Sequence, residues 1–165
     1  MKKSIHALAA AAILASGTAF ASSQADQTEA VTGLWLTQKK GIVIDIYECG
    51  DALCGRTVWL KKMNFKDGTP RIDKNNPDPA LRERHVCGIE VINQLQPEAV
   101  GQWDNGKVYD PKTGDTFDFE LKRKGEKLKV RGYLGVKFLG KSETWTRFTD
   151  TGVKHCAPDR LASNN

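Results

Sequence analysis

Residues 116–123, with the sequence TFDFELKR, alternate between polar and apolar side chains. Phe117, Phe119 and Leu121 fall on one side of this stretch, and Asp118, Glu120 and Lys122 fall on the other. A two-residue period of this kind is typical of a β-strand that has one face in a core and the other in water. The stretch therefore predicts a strand whose apolar residues face inward.

The same period recurs along most of the chain from Gly33 onward. Ile42, Ile44 and Ile46 share one face of an earlier strand, and short turns join most of the segments, including an Asn-Gly hairpin turn at residues 104–106. The predicted strands are residues 34–36, 42–49, 56–61, 88–95, 108–109, 116–123, 128–133 and 141–148. This order predicts an all-β protein, an eight-stranded antiparallel up-and-down barrel, because closure removes exposed strand edges. A β-sandwich is the alternative.

One connection, residues 62–87, is long for such a barrel. It contains the turn signatures DGTP and DKNNPD, and then a brief helix for which Asp78 would be the N-cap and Pro79 the first residue, with arginines in the last turn. Long loops of this kind often cap a site. We expect this segment to act as a lid.

The two ends of the barrel sequence carry Gly33-Leu34-Trp35 and Trp145-Thr146-Arg147. In a closed barrel the first and last strands are neighbours, so the Arg147 guanidinium is expected to lie over the Trp35 ring. Gly33 would let the backbone approach without a Cβ. Gly33, Trp35, Trp145 and Arg147 are thus the predicted closure residues.

The chain also resembles known proteins at a set of longer motifs. The Gly-x-Trp start and the arginine on the last strand are similar to those of lipocalins. The closer resemblance, over about residues 33–148, is to an exported bacterial family catalogued as domain of unknown function 2147. It rests on GLW (33–35), YECGDALCGR (47–56), DKNNPDPALR (73–82), YDP (109–111), KVRGYLG (129–135) and TWTR (144–147). The resemblance implies a lipocalin-like barrel with a pocket and implies no activity.

The first 21 residues have the pattern of a secretory signal peptide. Two lysines precede the apolar run 7–15, and Ala19 and Ala21 supply the small residues that signal peptidase needs. The run is too short to remain as a membrane anchor. We expect cleavage after Ala21 and a periplasmic or secreted protein with no transmembrane anchor. The predicted organisation is a signal peptide (1–21), a disordered leader (22–32), the barrel domain (33–148) and a C-terminal tail (149–165).

All four cysteines follow the predicted cleavage site, where the compartment is oxidising. Four cysteines allow three disulfide connectivities. If residues 50–53 form a hairpin loop, Cys49 and Cys54 lie across a strand pair at a distance that a disulfide can span. Cys87 would then pair with Cys156 and attach the tail to the barrel. A zinc site is the rival interpretation, but the spacing does not match the common zinc patterns.

The net charge says little about partners, since it falls from +5 to +3 when Lys2 and Lys3 are removed. The basic runs at residues 61–62 and 122–124 are scattered and are typical of solvated turns. Together with export, this argues against a nucleic-acid partner.

The sequence predicts a binding protein that holds a small apolar or amphipathic ligand in the barrel. Arg56 shares a face with Val58 and Leu60 by strict alternation, so we predict that it faces inward and fixes an anionic ligand head. The alternative is an arginine near a strand end that extends to water. The predicted ligand-binding residues are Ile44, Ile46, Arg56, Val58, Leu60, Phe117 and Phe119.

Other functions have weaker support in the sequence. No catalytic motif is present, so an enzyme is less expected than a binding protein, and no cofactor or metal is predicted. A carboxylate pair for glycoside hydrolysis would have to come from Asp45, Glu48, Glu90 or Glu120. The second candidate function is an extracytoplasmic interaction or inhibitor protein that uses its loops and has a filled barrel without a small ligand.

Overall fold

In the computed structural model, which describes residues 31–150, 152, 155 and 156, eight antiparallel strands close into a barrel. Each strand pairs with the next along the chain, and the first pairs with the last. The strands are β1 (Gly33–Leu36), β2 (Ile42–Cys49), β3 (Ala52–Leu60), β4 (Glu90–Ala99), β5 (Gln102–Asp110), β6 (Asp115–Lys124), β7 (Lys127–Tyr133) and β8 (Lys141–Arg147). The predicted up-and-down barrel is confirmed.

The termini of the chain lie largely outside the described residues. The predicted signal peptide is among the residues not described, and so is the predicted leader up to residue 30. The last two leader residues belong to the fold, because Val31 is fully buried and its carbonyl accepts a hydrogen bond from Trp35 Nε1 at 2.8 Å. Within the described ranges, no helix has the length and apolar character needed to cross a membrane.

The strands run alternately in opposite directions, so their connections alternate between the two ends of the barrel. The long connections lie at one end, here called the mouth end, and comprise residues 37–41, 61–89, 111–114 and 134–140. The tight turns lie at the other end, the closed end, and comprise residues 50–51, 100–101 and 125–126.

Large side chains pack the part of the barrel interior towards the closed end. Together with Val31 they belong to the hydrophobic core, and they come from six of the strands: Trp35, Leu53, Leu95, Trp103, Leu121 and Leu128. Dense packing of this kind leaves no room for a ligand in this half. Any ligand therefore has to enter the other half, towards the mouth end.

The predicted closure contact is present at the closed end. Trp35 and Arg147 pair directly between β1 and β8, and the Arg147 guanidinium carbon lies 4.0 Å from the centroid of the Trp35 ring. Gly33 has a φ of +99°, and a Cβ there would lie 3.1 Å from Arg147 Nη1. Trp145, which lies two residues before Arg147 on β8, is also buried.

Both predicted disulfides are present. Cys49 and Cys54 are joined across the β2–β3 hairpin, with Cα atoms 5.8 Å apart. They are diagonal neighbours, because Cys49 lies opposite Ala52 in a hairpin that is tighter than expected. Cys87 is joined to Cys156, also with Cα atoms 5.8 Å apart.

Two local predictions were wrong. Residues 104–106 form no hairpin turn but a bulge inside β5, where Asn105 has a φ of +57° and the register with β6 shifts. The strand continues because Trp103 and Val108, on either side of this pair, both stay paired with β6. Gly106 leaves room for Leu95, since a Cβ at position 106 would lie 2.6 Å from the Leu95 Cδ1 atom. The predicted helix after Asp78 is a single 3₁₀ turn, Pro79–Leu81, which Asp78 caps as expected by accepting from the Ala80 N–H.

Candidate functional site

A cavity of about 970 Å³ occupies the half of the barrel towards the mouth end. Its volume lies within the range of pockets that hold small ligands. Apolar side chains from most strands and from the long connection form its wall: Ile42, Ile44, Leu60, Phe65, Ile72, Val86, Val91, Ile92, Val108, Tyr109, Phe117, Phe119, Val130 and Trp145. This wall provides a binding surface for an apolar group.

The rim of the same cavity is rich in cations. Seven lysine or arginine residues line it, against the two carboxylates of Asp110 and Glu143. The cations are Lys39, Lys61, Lys62, Arg71, Lys74, Lys112 and Lys141. Apolar walls below a cationic rim match a molecule with an apolar body and a negatively charged end.

Arg71 is the least exposed of these seven cations. Its guanidinium carbon lies 4.6 Å from the centroid of the Phe65 ring, and Lys74 Nζ lies 5.9 Å from the same ring. The Arg71 Nε atom is buried and has no hydrogen-bond partner in the described part of the chain. A buried donor without an acceptor is costly, so an acceptor from a ligand would be favoured there.

A buried carboxylate fastens the segment 61–89, here called the lid, over the cavity. Asp73 is fully buried, and its Oδ2 accepts hydrogen bonds from Arg84 Nη2 at 2.9 Å and Asn76 Nδ2 at 2.7 Å. Its Oδ1 accepts from the Tyr109 hydroxyl of β5 at 2.5 Å. Burial and the hydrogen bond to Asp73 raise the pKa of Tyr109 to about 12. The lid is thus bonded to the barrel wall at the cavity.

Four of the seven predicted ligand-binding residues line the cavity, namely Ile44, Leu60, Phe117 and Phe119. Ile46 is buried in the core but is not part of the cavity wall. Val58 is fully buried outside the core, and its carbonyl accepts from the Cys156 N–H at 2.8 Å. The ligand-binding role of the four lining residues stays a prediction.

The expected inward placement of Arg56 was wrong. Its Nη2 atom lies 2.9 Å from Asp45 Oδ2, and its guanidinium carbon lies 5.4 Å from the centroid of the Tyr47 ring, on the outer face of the sheet. The cause is a bulge between β2 and β3, where the register shifts at Val43 and Ile44. The bulge breaks the alternation, so Thr57 and Leu60 line the cavity while Arg56 does not.

The carboxylates weighed for catalysis do not converge on the cavity. Asp45 is paired with Arg56, Glu90 accepts from the Tyr47 hydroxyl at 2.6 Å, and Glu120 lies near Lys137. Within the described ranges, no group of three or more His, Cys, Asp or Glu residues is placed to hold a metal ion.

Comparisons with known proteins agree with this architecture. The sequence profile of a family described as "Uncharacterized protein conserved in bacteria (DUF2147)" matches residues 33–147. The chain belongs to the DUF2147 family. Its barrel is similar to a solved structure described as "Protein HP1028 from the human pathogen Helicobacter pylori belongs to the lipocalin family". That match has a TM-score of 0.64 and 24% identity, and it covers 73% of this chain and 84% of the other. A search of curated proteins found no match.

The DUF2147 domain thus has the lipocalin-like barrel that its motifs implied. Sequence reasoning missed the cationic rim because its members are far apart in the chain, from Lys39 to Lys141. A usable signal was present, since in an up-and-down barrel alternate connections share one end. Assigning each basic residue to its connection would have grouped them.

Proposed function

We propose that this DUF2147 protein is an exported binding protein that holds one small amphipathic molecule, with its apolar part in the cavity and an anionic head at the rim. The observation that carries the proposal is the cavity of about 970 Å³ with an apolar wall and a cationic rim. Burial of the apolar part would supply about 25 cal/mol per Å² removed from water. The rim would supply charge-assisted hydrogen bonds to the head.

Arg71 is the residue we assign to the head group. It lies at the rim, its guanidinium lies over the Phe65 ring, and its Nε atom offers a donor. A carboxylate, sulfate or phosphate presents the planar or multiple acceptors that a guanidinium binds best. The residue first predicted for this role, Arg56, already has Asp45 as its partner.

Export is part of the proposal and rests on the sequence of residues 1–21. Protein recovered from outside the cytoplasm should begin at Ser22 by intact mass. Recovery of the full-length chain in the cytoplasm would contradict export without touching the ligand proposal.

The ligand proposal is tested by titrating a long-chain fatty acid and the alcohol of the same chain length into the purified protein. Val108→Trp places an indole in the cavity, because Val108 lines it opposite Phe117. We expect this variant to lose both ligands. Thr144→Trp is the matched control, since Thr144 is exposed on β8, and it should bind as the wild type does.

The head-group assignment is tested in the same titration. Arg71→Gln should weaken the acid by about 10-fold to 100-fold, the range expected for a hydrogen bond to a charged group, and leave the alcohol nearly unchanged. Lys66→Gln, an exposed change in the same lid, is the control. If the wild type binds neither compound, and mass spectrometry of an organic extract of the purified protein finds no bound molecule, the cavity is not a ligand site. Equal weakening of acid and alcohol by Arg71→Gln would contradict the head-group role alone.

A further inference from the structure

The two ends of the barrel differ sharply in the apolar side chains that they expose. Nine large apolar residues are exposed within the described part of the chain, and eight of them lie at the mouth end. Four of these are in one seven-residue connection between β7 and β8: Leu134, Val136, Phe138 and Leu139. Phe138 and Leu139 are 77% and 70% exposed. We call residues 134–139 the apolar tip.

The other exposed apolar residues at the mouth end are Ile42 at the start of β2 and Met63, Phe65 and Leu81 of the lid. The ninth, Val100, lies in a tight turn at the closed end. Large apolar groups on a surface favour contact with another molecule or with lipid. Their concentration at one end of the barrel marks that end as an interaction surface.

The connections at the mouth end also carry most of the excess positive charge. The four connections of the mouth end hold eleven lysines and arginines and four acidic residues, a net charge of +7. The three turns of the closed end hold Asp51 and Glu126, and the flanking Lys124 and Lys127 balance these two charges, so this end has no comparable excess of positive charge. A cationic field around exposed apolar side chains is the combination that binds a lipid surface with anionic head groups.

We propose that the mouth end docks onto a membrane surface that carries anionic lipids, with the apolar tip inserted among the head groups. Lys40 and Lys66, which are exposed at this end and do not line the cavity, face the lipid phosphates. In this orientation the cavity opens towards the bilayer. An amphipathic ligand would then pass between the bilayer and the barrel with little exposure to water.

The test is flotation of the purified protein with vesicles of phosphatidylcholine alone and of phosphatidylcholine mixed with phosphatidylglycerol. We expect binding to the mixed vesicles only, and release as the salt concentration rises. The double variant Lys40→Gln and Lys66→Gln should bind roughly 30-fold more weakly. Lys127→Gln, an exposed change near the closed end, should have little effect.

The apolar contribution has its own matched control. Phe138→Ser with Leu139→Ser should weaken vesicle binding by about tenfold or more, whereas Val100→Ser, which alters a 65% exposed residue at the closed end, should not weaken it. All variants and the wild type are compared as the form that begins at Ser22, so the apolar run 7–15 does not contribute to vesicle binding.

Several outcomes would overturn the membrane proposal. These are the absence of flotation at low salt, equal binding to both kinds of vesicle, and equal effects of the Phe138/Leu139 and Val100 changes. If the protein ignores vesicles but self-associates in sedimentation experiments through Phe138 and Leu139, the surface binds protein instead. Val108→Trp should keep vesicle binding, so this test is independent of the proposed ligand.

Discussion

Arg147 makes two different contacts that hold the ends of the barrel sequence together. Its guanidinium lies over the Trp35 ring, and its Nη1 atom donates to the Thr32 carbonyl at 2.5 Å. Trp35 in turn donates to the Val31 carbonyl, so a short N-terminal segment is bonded to β8 through these two residues. Arg147 therefore stabilises both the closure of the barrel and the segment that precedes β1.

We expect Arg147→Ala to lower the free energy of unfolding by about 2–4 kcal/mol, the sum expected for a cation–π contact and a charge-assisted hydrogen bond. Arg147→Lys should lose about half as much, because it keeps the charge but not the flat guanidinium. Urea unfolding followed by tryptophan fluorescence measures both. Lys127→Ala, an exposed change on the neighbouring strand, should cost less than about 0.5 kcal/mol. A loss for Arg147→Ala as small as this control would show that the contact does not stabilise the closure.

The contrast between Arg147 and Arg56 shows which residues were predictable from sequence. Arg147 was placed correctly because its position depends only on the first and last strands being neighbours. Arg56 was placed wrongly because its orientation depends on a single extra residue in β3, next to Thr57. A one-residue bulge reverses the faces of a strand, and local sequence carries almost no signal for it.

At the scale of the elements, one buried carboxylate, that of Asp73, bonds the lid to the barrel wall. Asp73 accepts hydrogen bonds from Arg84 and Asn76 within the lid and from Tyr109 on β5. The raised pKa of Tyr109, about 12 against an ordinary value of 10.0, means that the folded state holds this proton more tightly than the unfolded chain does. The stability that this bond contributes is therefore fully present below pH 10.0 and is lost as the pH rises towards about 12.

The prediction concerns the difference in unfolding free energy between the wild type and Tyr109→Phe. Below about pH 9 the variant should be less stable by about 1–3 kcal/mol, because Asp73 loses a donor in a buried site. Between about pH 10 and pH 12 the difference should shrink, since the wild type loses the same bond by titration. Because both proteins contain the same lysines, the effect of lysine titration on the free energy of unfolding cancels in this difference. A difference that stays constant up to pH 12 would contradict this role of Tyr109.

The boundaries of elements were harder to predict than their existence. The sequence predicts all eight strands, yet β5 continues through the Asn105–Gly106 pair, where the sequence predicts a turn. Asn-Gly suits a hairpin and a bulge equally well, since both need a positive φ. In the barrel the residues on both sides of this pair are bonded to β6, which makes it a bulge, and Leu95 of β4 occupies the space that a side chain at position 106 would need.

At the scale of the whole molecule, the two ends of the barrel differ in their connections, their interior packing and their exposed side chains. The closed end has tight turns, a packed interior and the Trp35–Arg147 closure. The mouth end has the long connections, the cavity rim and most of the exposed apolar residues. The basic residues looked scattered along the sequence because each connection contributes only a few. Their grouping follows from strand order, which is a property of the fold.

The two disulfides stabilise the molecule over very different lengths of chain. Cys49 and Cys54 are five residues apart and close one hairpin, whereas Cys87 and Cys156 are 69 residues apart and join the end of the lid to the C-terminal tail. The tail also contacts β3 directly, because the Cys156 N–H donates to the Val58 carbonyl. Just before the tail, the Phe148 ring stacks on Trp59 of β3 with centroids 6.2 Å apart.

We expect the Cys87→Ala, Cys156→Ala pair to lower the free energy of unfolding by about 4 kcal/mol, and the Cys49→Ala, Cys54→Ala pair by about 2 kcal/mol. The longer loop loses more, because its cross-link removes more conformations from the unfolded chain. Urea unfolding of both double variants beside the wild type measures the two costs. Equal costs would mean that the Trp59–Phe148 stack and the backbone bond to Val58 already hold the tail without the covalent link. The reverse order would mean that the hairpin disulfide acts on the native fold, by fixing the register of β2 and β3, rather than on the unfolded chain.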